Sequence, residues 1–131
     1  MPKGKGWTAL TPDEQTWAAP SWRPEEQVRK LVELPLQTQL AHTRGHIWKY
    51  PAGAQGRKHL HREQEEVFVV LDGTLTMTLG DEEQVVELPP RSVVVLSPNT
   101  KAHVRNLSAA EAIVFVYGSP PVMGDGVILE S

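Results

Sequence analysis

The sequence predicts an all-β domain, and two observations carry that prediction. Its 131 residues include 11 prolines and 10 glycines spread along the chain, which break up any long helical run. Between these breaks lie short runs rich in β-branched and aromatic residues: 67–71 (VFVVL), 93–96 (VVVL) and 112–117 (AIVFVY). Cysteine is absent, so there is neither a disulfide framework nor a thiolate metal site. The length suits one domain with a real core.

Residues 1–35 read as an N-terminal arm with one short helix. The arm carries Trp7, Trp17 and Trp22, three of the four tryptophans, and so must pack on something: its own barrel or a neighbour's. The helix is expected over 24–33, where Pro24 suits a first turn, Glu25 and Glu26 suit the helix dipole, and Val28, Leu31 and Val32 form one face. Pro35 would end it. Residues 36–117 form the main body. Residues 36–41 alternate as a strand would, and 46–50 is a second strand with Trp48 and Tyr50 on one face, lining a pocket or filling the space between sheets.

Val67 to Leu71 then runs into Asp72-Gly73, a hairpin turn signature. A two-residue turn there would pair Leu71 with Thr74, Val70 with Leu75, Phe68 with Met77 and Glu66 with Leu79. Glu66, Phe68, Val70, Leu75, Met77 and Leu79 would then share a face, with Val67, Val69 and Leu71 on the other. Strands follow at 84–88 and 92–96, split by Pro89-Pro90. The loop 97–102 leads to His103, and 112–117 forms the last strand. Residues 118–131 are a tail, expected to be loose unless docked.

The stretch 53–73 organises the chain. His59 and His61 are two residues apart, so on a strand both imidazoles leave by one face. Glu66 follows closely; adjacent Glu65 must face the other way. Gly53, five residues, His59, one, His61, four, Glu66, six, Gly73 resembles the first motif of the cupins without departure. The second cupin motif is degenerate. Pro98 and His103 are in place, but Ser92 and Thr100 stand where glycines would be, and Asn106 sits one residue early. The resemblance implies a jelly-roll β-barrel of two antiparallel sheets, with one divalent transition metal (Fe, Mn, Ni, Co or Zn) held by His59, His61, Glu66 and His103. It also implies a homodimer, as small cupins commonly form.

The net charge of −3 and the lack of a basic run argue against nucleic acid or an anionic membrane as partner. No apolar run is long enough to span a bilayer, and no signal peptide is visible, so a cytoplasmic protein with a small-molecule ligand is expected. The resemblance implies a metalloenzyme of dioxygenase type, acting on a small, largely apolar or aromatic substrate. Substrate contacts are expected from Phe68, Met77, Trp48 and Tyr50, with Arg105 as a charged contact. The alternatives are a non-catalytic ligand-binding cupin and a sugar isomerase or lyase. A sugar-phosphate isomerase would need several cationic groups in the pocket, and the expected apolar wall speaks against it.

Overall fold

A computed structural model describes residues 1–122 and 124–129. Strands dominate. β1 (Lys3–Gly4) and β2 (Trp7–Thr8) form a small ribbon in the arm, followed by a single 3₁₀ turn at Pro12–Glu14. Then come β3 (Lys30–Val32), α1 (Leu34–Gln37), β4 (Arg44–Tyr50), β5 (His59–His61), β6 (Glu65–Asp72), β7 (Leu75–Leu79), β8 (Gln84–Leu88), β9 (Val93–Leu96), β10 (Ala102–Arg105), β11 (Ala112–Ser119) and β12 (Gly126–Ile128). Two antiparallel five-stranded sheets, ordered β12-β5-β10-β7-β8 and β3-β4-β11-β6-β9, make the jelly-roll sandwich.

The core lies between the sheets. Phe68, Val70, Leu75, Met77, Val104, Val114 and Val116 are all buried there. Each strand contributes alternate residues, as the pleat requires. Asn106 is a polar hub within this apolar setting. Fully buried, its amide donates to the carbonyls of Tyr50 at 2.9 Å, Pro51 at 3.3 Å and Ala110 at 2.8 Å. Its own oxygen accepts from the Ser108 amide and hydroxyl. It thereby ties the end of β4 to the β10–β11 connection.

Several local expectations are corrected. No helix forms over 24–33. Leu31 is buried in β3, and Lys30 to Val32 pair with Lys49 to Ile47 of β4. Alternation wins because Arg29 and Leu31, two residues apart, are both drawn inside. Among the described residues the one short α-helix comes later, and Pro35 sits in its first turn rather than ending it. The alternating residues 36–41 accordingly do not form a strand.

Asp72-Gly73 is not a hairpin either. β6 pairs with β11 and β9, and β7 pairs with β8 and β10, so the chain crosses from one sheet to the other at this point. Gly73 is needed for the crossing. Its φ is +70°, and a Cβ there would lie 2.4 Å from the Glu111 carbonyl oxygen. The expected face survives without the expected partners. Glu66, Phe68, Val70, Leu75 and Met77 all point inward, because period-2 alternation sets which way a residue faces regardless of what it pairs with.

The sheets also reach past residues 36–117 at both ends. β3 joins one edge, and β12 docks the tail on β5 through Gly126–His61, Val127–Leu60 and Ile128–His59. In the arm, Trp17 lies under the Lys49 ammonium at 4.1 Å, and Trp22 packs against His46 and Trp48, so both rest on this chain's own barrel.

Candidate metal centre

β5 and β6 present three donor atoms to one point. His59 and His61 leave the same face of β5, and Glu66 leaves the inner face of β6. The His61 Nε2 is 3.4 Å, and the His59 Nε2 3.9 Å, from the Glu66 Oε1. Within the three side chains one ligand atom each lies inside 4.8 Å of the others, and the group could hold a metal ion. Bonds of about 2.1 Å can bridge such separations.

The outer nitrogens are also disposed for ligation. The His59 Nδ1 is 2.9 Å from the Arg57 carbonyl, which fixes its N–H there and turns Nε2 inward. The His61 Nδ1 is 3.6 Å from the Asp125 carboxylate, the arrangement of a carboxylate–histidine pair behind a metal. Asp125 is itself fixed by the amides of Glu63 and Gln64, each at 2.9 Å. Burial works against its ionisation, but these hydrogen bonds prevail and hold its carboxyl below the ordinary value. Sequence reasoning missed Asp125, which lies in a tail with no periodic pattern.

The electrostatics suit a cation. Burial pushes His61 down to about 4, helped by His59 and Arg44, and also lowers His59, so both rings are neutral ligands at pH 7. Burial raises Glu66 to about 7, against the opposing pull of Arg44. Arg44 does not offset the cost of burying this carboxylate beside two neutral imidazoles, and a divalent ion would do so.

The structure does not bring His103 to this group. Ala102 pairs with His59 and faces inward with Val104, so His103, between them on β10, faces the other way. Its Nε2 lies 3.1 Å from the Gly56 carbonyl. The reason is the missing residue in the second motif. Asn106 is anchored inward, and a separation of three residues rather than four puts the histidine on the opposite face.

A cavity of about 600 Å³ opens onto the three donors. Trp48, Tyr50 and Phe68 line it as expected, and Val104 and Val116 complete an apolar wall. Met77 is buried in the core behind that wall and does not line the cavity. Arg105 points outward with His103, where its Nη2 donates to the Thr78 hydroxyl at 3.1 Å. The cavity is more polar than the sequence led one to expect, because Arg23, Arg29, Arg44 and Arg57 also line it. Arg29 is buried, donates to Glu26 at 2.7 Å and to the Tyr50 hydroxyl at 3.2 Å, and lies 4.4 Å from the Trp48 ring centroid. Gly56 permits this, since a Cβ there would lie 2.8 Å from the Arg29 Nη1 and 3.1 Å from the Tyr50 hydroxyl. The apolar wall therefore does not speak against an anionic substrate such as a sugar phosphate, because the cavity also carries cationic groups.

Residues 46–117 match the family model of the cupin domain, and the chain belongs to that family. No curated protein matches the chain. Among solved structures, the polyketide cyclase RemF from Streptomyces resistomycificus has a TM-score of 0.75 at 15% identity, covering 95% of this chain and 88% of that one. A cupin-superfamily sugar phosphate isomerase from Silicibacter pomeroyi has a TM-score of 0.72 at 19% identity, covering 86% and 75%. KdgF from Halomonas sp. has a TM-score of 0.69 at 20% identity, covering 88% and 96%. These likenesses speak to the fold. Among the described residues no helix is long and apolar enough to cross a membrane.

Proposed function

We propose that this cupin is a metal-dependent enzyme acting on a small molecule, with His59, His61 and Glu66 holding one divalent ion of the Fe, Mn, Co, Ni or Zn group. The observation that carries the reading is the convergence of two anchored Nε2 atoms and a buried carboxylate oxygen on the cavity. When bound, such an ion supplies Lewis-acid polarisation of a coordinated oxygen. The protein's own residues do the rest. Trp48, Tyr50 and Phe68 exclude water from one side of the cavity and position the ligand's carbon skeleton. His46 also lines the cavity and is pushed down to about 4 by burial and by Arg44, so it is a neutral imidazole able to accept a proton. Isomerisation or elimination by proton transfer fits this set.

A dioxygenase is the second reading. Two histidines and one carboxylate are the donor set of non-haem iron oxygenases, and this observation favours it. Elemental analysis of protein purified without chelator tests both readings. About one transition metal per chain, lost in His59→Ala and Glu66→Ala, is the expected result. Protein that stays metal-free after soaking in each candidate ion would sink both. Oxygen uptake by the iron-loaded protein would select the second reading, and turnover of sugar acids without oxygen uptake the first.

A homodimer is also proposed. The outer face of β6, β9 and β11 presents Val67, Val69, Val93, Val95 and Tyr117, with Val93 and Val95 about 60% exposed. Such patches mark interfaces. Sedimentation should give about twice the chain mass of 14.5 kDa, and a 14.5 kDa species at high concentration would refute it.

A further inference from the structure

One polar group in the cavity wall has its bonding half complete. Tyr50 lines the cavity from the inner face of β4 and is 4% exposed. The Arg29 Nη1 donates to its hydroxyl at 3.2 Å. A guanidinium only donates, so the tyrosine oxygen is the acceptor in this bond and its own hydrogen is not used there.

No group among the described residues accepts that hydrogen. Glu26, which shares Arg29 with Tyr50, is occupied on both oxygens. Its Oε1 accepts from the Arg29 guanidinium at 2.7 and 3.2 Å, and its Oε2 from the amides of Val28 and Arg29. The hydroxyl lies against Arg29 and Gly56, which both line the same cavity. Burial raises its pKa from the ordinary 10 despite Arg29 beside it, so it keeps its hydrogen at pH 7. A buried donor without an acceptor is costly, and a ligand oxygen relieves that cost. The bond from the guanidinium polarises the hydroxyl and strengthens it as a donor.

We propose that the Tyr50 hydroxyl donates its hydrogen to an oxygen of the ligand, with Arg29 and Glu26 as positioning residues behind it. The ligand class is a small molecule that carries a carbonyl or carboxylate oxygen beside an apolar face. A hydrocarbon would leave the hydroxyl hydrogen unmatched, and an ammonium group would face the Arg29 charge. His59, His61 and Glu66 line the same cavity, so one molecule can meet Tyr50 and a bound ion together. Only that last point rests on the metal-centre reading.

The chain has two tyrosines, so tyrosine isotopically labelled at Cζ gives two NMR resonances, which Tyr117→Phe assigns. The probes are acetophenone and ethylbenzene, which share an aromatic face and differ by the ketone oxygen. Acetophenone should move the Tyr50 resonance further than ethylbenzene does. Calorimetry gives the ratio of the two affinities. Tyr50→Phe should lower the preference for the ketone about tenfold, equivalent to about 1.4 kcal/mol, and leave ethylbenzene binding nearly unchanged. Arg29→Lys should lower the same preference and also shift the Tyr50 resonance in the unliganded protein. Circular dichroism checks folding, and Tyr50→Phe, which keeps the ring, decides the matter if Arg29→Lys does not fold. An unchanged preference in Tyr50→Phe, or no acetophenone binding at about 10 mM, would overturn the proposal. Each titration is run metal-free and with zinc. A Tyr50-dependent preference without ion uptake would leave the donor standing and sink the metal reading, whereas ion uptake without that preference would remove the donor alone.

Discussion

Replacing Glu66 by glutamine should have opposite effects with and without metal. In the metal-free protein, burial raises the carboxyl from 4.5 to about 7. The unfolded chain therefore loses this proton more readily than the folded one. Between these two values the native state holds more proton, so this residue's contribution to stability falls as pH rises. The penalty is absent below the unfolded value and complete above the folded one. At 1.36 kcal/mol per pH unit it amounts to about 3 kcal/mol at about pH 8. His46 and His61, both lowered to about 4, contribute the opposite slope, with a penalty that grows as pH falls from 6.5. Comparing Glu66→Gln with the parent removes the part of their slope that does not depend on Glu66. Urea denaturation in chelator should show the variant up to about 3 kcal/mol more stable than the parent at about pH 8, and no more stable at about pH 4.5. Adding manganese should stabilise the parent and leave the variant almost unmoved. A metal-free variant no more stable than the parent at the higher pH would refute the desolvation argument. Equal stabilisation of both proteins by metal would refute Glu66 as a ligand.

Three further outcomes follow from the geometry. His103→Ala should keep about one metal per chain while His59→Ala loses it, measured by elemental analysis; loss in both would mean the His103 ring reaches the centre. Asn106→Ala removes the partner of three carbonyls and should cost about 3 kcal/mol, seen as a fall in Tm of about 10 °C by calorimetry. Gly73→Ala combines a positive φ with a backbone clash and should cost at least about 2 kcal/mol in a urea titration, whereas alanine at Gly53, where φ is also positive but a Cβ meets nothing, should cost less.

What was legible in the sequence was periodicity. Alternation told that His59 and His61 leave by one face and that Glu66, Phe68, Val70, Leu75 and Met77 share another. The meeting of Glu66 with the two histidines was implied only by the cupin resemblance. In the structure those five side chains of the shared face are buried and the three donors converge. Alternation is silent about partners. The same Asp72-Gly73 that reads as a hairpin turn serves equally well to change sheets, because a tight turn needs the same backbone whether the next strand lies beside or across. The position of His103 was present as a one-residue discrepancy beside Asn106, and its meaning follows only if parity is counted from the anchored asparagine rather than from the proline. Arg29 and Asp125 could not be found this way. Each reaches the cavity region through contacts that form only in the folded chain: Arg29 through Glu26, Tyr50 and Trp48, Asp125 through the amides of 62–64.

Asp125 gives this centre a dependence on distant chain. The four residues between His61 and Glu66 set the distance between ligands, and the amides of Arg62, Glu63 and Gln64 are all bound to Asp125, through its carbonyl for the first and its carboxylate for the others. The spacer is thus clamped by a residue 61 to 63 positions further on. Linkage makes such a clamp reciprocal: whatever affinity the docked tail lends to ion binding, ion binding returns as tighter docking of the tail. A bound ion would then be felt as slowed amide exchange at 62–64 and along 126–128, which makes the C-terminal strand a readout of occupancy at a site it does not itself ligate.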